Sequence, residues 1–166
     1  MGWVRLAWIL VAIAAMRVGD LVQAAGARDG HAVVDIQLPS PLTDAIMLLG
    51  WSGTDVPHIV VVDRKPPDAT DTVEAWVRFD LEGRAMPIIY VRTDTDVYRD
   101  AARKDYQALV RLAGILAHER WHLRHGRDEV GAYTAQLSAM EYLHANSAHL
   151  AQVRRALRRV TQQTKK

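Results

Sequence analysis

The chain has 166 residues, of which 49% are hydrophobic and 24% are charged, and its formal net charge is +2. This length suits one globular domain and is too short for two well-packed ones, and the apolar content excludes disorder over the whole chain. There are no cysteines. Disulfides and thiolate metal sites are therefore excluded, and any bound metal must be held by histidine and carboxylate side chains.

The N-terminal segment, residues 1–27, has the features of an export signal. Arg5 supplies the positive charge, residues 6–16 are an apolar run of the required length, and residues 25–27 are an A-x-A cleavage site. We therefore expect a secreted or periplasmic protein. If the segment is not cleaved, residues 6–22 would instead anchor the protein to a membrane, which is the one membrane contact that the sequence predicts.

The rest of the chain is expected to fold as one domain over residues 28–162, followed by a polar tail at residues 163–166. The first part of this domain holds a predicted short helix at residues 44–49, which Gly50 ends. Residues 57–63 are a β-branched run bounded by prolines, and this pattern predicts a buried strand.

Two further strands are predicted to form a hairpin. Residues 71–80 alternate between apolar and polar side chains, as a half-exposed strand does. Residues 86–92 form the third strand, and a turn at residues 81–84 pairs it with the second. Because Pro87 has no backbone N–H, it predicts either a sheet edge or the start of a strand. As an edge strand, residues 86–92 are the candidate to bind a peptide as an added strand.

The remaining sequence is predicted to be helical and contains the H-E-x-x-H pattern at residues 118–122. Residues four apart lie on one face of a helix, so His118 and His122 can bind the same metal ion. Glu119 is poorly placed as a ligand but can reach a metal-bound water as a general base, which is what a zinc hydrolase requires. Apolar side chains recur at helical spacing before the motif, at Tyr106, Leu109, Val110, Leu112, Ala113, Leu116 and Ala117.

A third protein ligand is expected shortly after the motif, because catalytic zinc usually has three protein ligands and a water. Gly126 is a natural end for the motif helix, and Asp128 is a natural N-cap for a second helix. If the second helix folds back beside the first, Glu129 in its first turn faces His122. Asp128 is the rival ligand, and Glu141, another histidine or no third protein ligand also stay open.

Residues 117–122, followed by residues 129–133, resemble the gluzincin branch of the zincin-like metallopeptidases. That branch carries H-E-x-x-H on one helix and a ligand glutamate on the next, often with a small residue three positions later, where this chain has Ala132. The small size of the chain resembles the minigluzincins, and the resemblance covers residues 88–143. There are two departures, since Arg120 is charged where zincin helices usually are not, and the gap before the ligand glutamate is short.

The resemblance implies an α+β fold in which a small, mostly antiparallel three-stranded sheet packs on the motif helix, followed by C-terminal helices. It also implies a zinc-dependent metallopeptidase that acts on a peptide or protein substrate. In this reading His118, His122 and Glu129 bind Zn²⁺, and Glu119 is the general base that activates a water for attack on the peptide bond. Candidate donors to the developing oxyanion are Tyr133, His125 and Arg127.

Other interpretations stay open beside this one. The metzincin pattern would place the third ligand at Asp128, although it requires glycine at position 125, where this chain has His125. The site could also belong to a catalytically inactive zinc-binding or protein-interaction module of the cell envelope. We expect no nucleic-acid partner, because no aromatic residues interleave the basic C-terminal helix. The more distant His144 and His149 are predicted to be surface residues.

Overall fold

The computed structural model describes residues 38–66 and 72–164, so the predicted export signal lies outside the described residues. Within them, the chain forms a three-stranded sheet and five α-helices, which confirms the predicted α+β class. The elements follow in the order α1 (Ser40–Leu48), β1 (His58–Val62), β2 (Ala75–Phe79), β3 (Ala85–Arg92), α2 (Asp96–Ala102), α3 (Tyr106–His125), α4 (Glu129–Tyr142) and α5 (Ser147–Gln163). No helix within these two ranges is long and apolar enough to cross a membrane.

The sheet has the strand order β1-β3-β2, with β3 in the centre. The predicted hairpin of β2 and β3 is confirmed, and its pairing is antiparallel, with Val77 opposite Ile89. The pairing of β1 with β3 is parallel, so the sheet is mixed and not mostly antiparallel as expected. The prediction that residues 86–92 form an edge strand was also wrong, because β3 is paired on both sides.

Pro87 is accommodated in the central strand by an irregularity in the pairing. β2 and β3 pair regularly at Val77 and Ile89, and again at Phe79 and Ala85, with a register shift between these points. The parallel pairing with β1 begins only at Ile88. Pro87 therefore lies in a bulge, where the ladder does not need its missing N–H.

The hydrophobic core lies between the sheet and α3. Ile89 and Val91 of β3 are 0% and 1% exposed, and Ala75 and Val77 of β2 are also buried, as their alternation predicted. Burying an aliphatic side chain of this size stabilises the fold by about 1.5–3 kcal/mol. This contact holds the motif helix against β2 and β3. The buried α3 residues include five of the seven positions of the predicted apolar stripe, Leu109, Val110, Leu112, Ala113 and Leu116. Of the other two, Ala117 is half-buried and Tyr106 is 48% exposed.

The junction of α3 and α4 follows the predicted capping. α3 ends at Gly126, whose φ of 67° lies in the region that favours glycine. Asp128 is the N-cap of α4, and its carboxylate accepts a hydrogen bond from the Gly131 N–H at 3.0 Å. The reversal is therefore short, and α4 packs back along α3. The two helices approach closely at Gly114, where an added Cβ would lie 2.5 Å from Met140 Cγ.

α5 begins after the N-cap Asn146, whose side chain accepts a hydrogen bond from the His149 N–H at 2.9 Å. It packs against α4 through the buried Val153 and through an ion pair between Arg154 and Glu141 at 2.7 Å. The helix continues to Gln163, the first residue of the predicted polar tail.

Candidate metal centre

Three side chains that could ligate a metal ion converge where α3 and α4 meet. His118 and His122 project from one face of α3, and Glu129 projects from the first turn of α4. The Nε2 atoms of the two histidines are 3.1 Å apart. Glu129 Oε2 lies 3.7 Å from His118 Nε2, and Glu129 Oε1 lies 3.5 Å from His122 Nε2. The structure therefore brings together the three residues that the sequence proposed as ligands.

These distances fit a tetrahedral metal ion. Zinc binds nitrogen and oxygen ligands at about 2.0–2.2 Å, which separates neighbouring ligand atoms by about 3.3–3.6 Å in a tetrahedron. The two histidine side chains are 12% and 6% exposed, whereas Glu129 is 52% exposed. The cluster is thus closed on the histidine side and open on the Glu129 side, which is the shape that leaves room for a water or a substrate.

Hydrogen bonding sets which nitrogen of His122 is free. Its Nδ1 lies 2.7 Å from the carbonyl oxygen of Gly126. A carbonyl oxygen only accepts, so Nδ1 carries the proton and Nε2 presents its lone pair to the cluster. The α3 cap that ends the helix therefore also orients a candidate ligand.

His118 is held neutral by its surroundings. Burial lowers its pKa to about 4, the nearby His122 contributes in the same direction, and the Gln136 side chain opposes them. Its Nδ1 is buried and has no hydrogen-bond partner among the described residues. Metal binding requires neutral imidazole, so at neutral pH no proton competes with a metal ion for His118.

Asp128, the rival third ligand, is already engaged elsewhere. Its carboxylate caps α4 through Gly131 and also accepts a hydrogen bond from Trp121 Nε1 at 3.1 Å. These hydrogen bonds, with the Gly131 N–H contributing most, lower the pKa of Asp128. The arrangement favours Glu129 as the ligand and gives Asp128 the task of fixing the turn that places Glu129.

Glu119 lies beside the cluster as an uncompensated buried carboxyl group. It is 7% exposed, and no lysine or arginine of the described residues pairs with it. Burial raises its pKa to about 8, the Glu129 carboxylate adds to the rise, and a backbone hydrogen bond with Val77 opposes it. Without a cation nearby, Glu119 therefore carries a proton at neutral pH.

The charged Arg120 within the motif points away from this cluster. It forms an ion pair with Asp55 at 2.6 Å, and its guanidinium lies 4.4 Å from the centroid of the Trp51 ring. Arg120 therefore ties α3 to the turn before β1, which explains how the motif helix accommodates a charge there.

A cleft of about 620 Å³ opens onto the cluster. It is lined by the α3 face that carries His118 and His122, by β2, by the start of α4 and by one face of α5. β2 is the edge strand on this side of the sheet. Val77 N–H reaches Glu119, and the backbone of Ala75, two residues away on the strand, faces the same edge.

Of the three candidate oxyanion donors, Tyr133 alone lines the cleft. Its ring lies 4.6 Å from the His118 ring, centroid to centroid. His125 is exposed and stacks on Trp121, and Arg127 lies over the Phe79 ring. The structure thus brings Tyr133 to the cluster and directs the other two candidates to different contacts.

Several cleft residues were not found from the sequence. His149 was predicted to be a surface residue, but it lines the cleft and its Nδ1 is buried. Gln152 and Arg159 lie on the same wall. The signal that could have found them is their spacing on α5, where positions 149, 152, 153, 156 and 159 fall on one helix face.

No protein-family model matches this sequence, and no curated protein or solved structure matches it either. The resemblance to the gluzincins thus rests on the motif and on the geometry of the side chains described above.

Proposed function

We propose that the protein is a zinc-dependent metallopeptidase of the gluzincin type that hydrolyses peptide bonds. The observation that carries this proposal is the convergence of His118, His122 and Glu129 at 3.1–3.7 Å, with the buried Glu119 carboxyl group beside them. Two neutral nitrogens and one carboxylate are a donor set that zinc prefers in hydrolases.

The residues of the cluster divide the chemistry between them. His118, His122 and Glu129 would hold the ion. A bound Zn²⁺ would supply a Lewis acid that polarises a peptide carbonyl and lowers the pKa of a water molecule. The same positive charge favours the ionised form of Glu119, which converts its carboxyl group from an acid into a base. In that ionised form Glu119 would accept a proton from a water molecule and would pass it to the leaving amine.

The substrate is proposed to bind along β2. This edge strand borders the cleft, and its free backbone groups can pair with an extended peptide as an added strand. From the sequence, peptide binding was assigned to residues 86–92, and we propose it instead for residues 75–79. Tyr133, on the other side of His118, is proposed to donate its hydroxyl proton to the oxyanion.

The export signal at residues 1–27 suggests that this activity takes place outside the cytoplasm, in a secreted or periplasmic protein. The alternative is a zinc-binding or interaction module of the cell envelope that lacks hydrolysis. A zinc-binding module without hydrolysis would share the metal ligands and differ in whether Glu119 acts as a base, whereas an interaction module would not require zinc.

A peptide-library digestion with the purified, zinc-loaded protein separates these readings. Wild-type protein should cleave peptides, and Glu119→Gln should reduce cleavage by about 10²–10⁴-fold while retaining its zinc. A chelator should abolish wild-type cleavage, and added zinc should restore it. Cleavage that is equal in wild type and Glu119→Gln, or no cleavage of any peptide by the zinc-loaded protein, would overturn the peptidase proposal.

A further inference from the structure

The arginines of α5 differ in whether an acidic side chain of the protein forms an ion pair with them. Arg154 forms an ion pair with Glu141 at 2.7 Å. Arg155, Arg158 and Arg159 are exposed and form no ion pair or hydrogen bond with any residue in the ranges 38–66 and 72–164. An arginine without an internal partner is available to bind an anion from outside.

Of these unpaired arginines, Arg159 is the one that lines the cleft. It lies on the same face of α5 as Gln152 and Ala156, and all three residues line the cleft. Its charge reaches the phenol of Tyr133, where it opposes the rise of the Tyr133 pKa that burial and Glu129 cause. Arg159 is therefore placed at the end of the cleft where Tyr133 packs beside the candidate ligand His118.

At this end of the cleft, the positive charge of Arg159 would remain unbalanced once a metal ion is bound. A divalent metal ion would balance the two carboxylates, Glu119 and Glu129. Arg159 then has no counterion in the cleft. At the other end, the Arg111 guanidinium is already neutralised by Glu74 at 3.1 Å. Among the described residues that line the cleft, Arg159 is thus the arginine that has no ion-pair partner and is available to a substrate, and its charge acts on Tyr133.

We infer that Arg159 is a specificity residue that binds a carboxylate of the peptide substrate close to the scissile bond. The carboxylate is either an acidic side chain or the C-terminus of the peptide. The planar fork of arginine matches a carboxylate with two parallel hydrogen bonds, and such a pair excludes a neutral amide of the same shape. This inference rests on the proposed peptidase function.

The test compares the full-length, zinc-loaded protein with Arg159→Ala, Arg159→Lys and Arg159→Glu on matched peptides. One pair of peptides differs by Glu against Gln near the cleaved bond, and a second pair differs by a free C-terminal acid against an amide. Arg155→Ala is the matched control, because Arg155 is also exposed and unpaired but lies outside the cleft.

Wild-type protein should prefer the acidic member of one pair by about 10- to 100-fold in kcat/KM, and the pair that shows the preference identifies the source of the carboxylate. Arg159→Ala should lose the preference, Arg159→Lys should keep part of it, and Arg155→Ala should keep all of it. Arg159→Glu should instead favour peptides with lysine at that position. Raising the ionic strength should weaken the wild-type preference.

Two outcomes would overturn the inference, and they differ from failure of the proposed function. Cleavage without preference for either acid, or a preference that survives in Arg159→Ala, removes the role of Arg159 and leaves the peptidase intact. A binding measurement with zinc-loaded Glu119→Gln by isothermal titration with the same peptides gives a readout without turnover. Equal binding of acidic and neutral peptides, or no binding of any peptide, overturns the inference in that assay.

Discussion

Two glutamates line the same cleft in opposite electrostatic situations. Glu74, the residue before β2, has its pKa raised by burial, but the guanidinium groups of Arg111 and Arg92 oppose that rise. Glu119, on α3 beside the cluster, has no such cation, and its pKa rises to about 8. Arginine side chains thus compensate the negative charge of Glu74, whereas no lysine or arginine of the described residues compensates that of Glu119.

This difference between the two glutamates supports the proposal that the reacting groups lie at the Glu119 end of the cleft. Ionising a buried carboxyl group that has no cation nearby destabilises the folded protein. Two neutral histidines whose Nε2 atoms lie 3.1 Å apart also present nitrogens that a cation could bind. One divalent ion between His118, His122 and Glu129 would satisfy both the carboxyl group and the histidines. The compensated end of the cleft would need no such ion, and in the proposed function it would contribute shape and charge to substrate binding.

The largest expected effect comes from removing the uncompensated charge with Glu119→Gln. Without metal, the free energy of unfolding of wild type relative to the variant should fall by roughly 3–5 kcal/mol as pH rises from about 4.5 to about 8, because over this range the unfolded chain releases the Glu119 proton and the folded chain keeps it. The lowered pKa of His118 changes stability in the opposite direction, but it does so in both proteins and cancels in the difference. The variant should lack this loss and be more stable than wild type at pH 8. Urea denaturation at pH 5 and pH 8 measures the difference.

Glu74→Gln is the matched control for this measurement. It should lower the free energy of unfolding at pH 8, because it leaves Arg111 without its partner. Stabilisation at both positions, or at neither, would remove the proposed contrast between the two ends of the cleft.

Adding zinc should stabilise the wild-type protein by the next largest amount. At a free zinc concentration one hundredfold above the dissociation constant, the free energy of unfolding should rise by about 2.7 kcal/mol. His122→Ala should lose this gain, and His144→Ala should keep it, since His144 is exposed and lies outside the cluster. Thermal unfolding by circular dichroism, with and without zinc, reports the result. A zinc-dependent shift that persists in His122→Ala would place the metal elsewhere.

Arg111→Met should remove the stronger of the two arginine interactions that compensate Glu74 and leave Arg92 as the other. The Arg111 and Glu74 side chains are 27% and 28% exposed, so solvent screens part of their interaction. We expect a loss of about 1–2 kcal/mol at pH 8 and a smaller loss at pH 4, where Glu74 is protonated in both states. Denaturation at the two pH values tests this sign, and a larger loss at pH 4 would contradict it.

Asp128→Ala should have the smallest effect. Removing an N-cap costs about 1 kcal/mol, and the variant should still bind zinc because Asp128 caps α4 and does not face the cluster. Glu129→Ala is the comparison, and it should bind zinc more weakly while leaving the cap in place. Isothermal titration with zinc distinguishes them. Zinc affinity that falls more in Asp128→Ala than in Glu129→Ala would favour Asp128 as the ligand.

The grouping of His118, His122 and Glu129 could be predicted from the sequence because the features that determine it are local. Helical spacing aligns His118 with His122, and the Gly126 and Asp128 caps at each side of a short turn place Glu129. These signals lie within a dozen residues. The hairpin of β2 and β3 is local in the same way, so its pairing was also predicted correctly.

The walls of the cleft could not be predicted in this way because they depend on long-range packing. Nothing near Pro87 in the sequence reveals that β1 pairs in parallel with β3 and begins only after the proline. The edge of the sheet was therefore assigned to the wrong strand. Arg159 and His149 reach the cleft only because α5 packs on α4, and their own sequence reads as the polar surface of a helix.

Zinc stoichiometry tests the central claim most directly. Elemental analysis of the purified protein at neutral pH should find one equivalent of zinc in wild type and none in His118→Ala or His122→Ala. Glu129→Ala should retain less zinc than wild type, and Asp128→Ala should retain the full equivalent. A wild-type protein that contains no zinc and takes up none when zinc is supplied would contradict the metal site and, with it, the peptidase proposal.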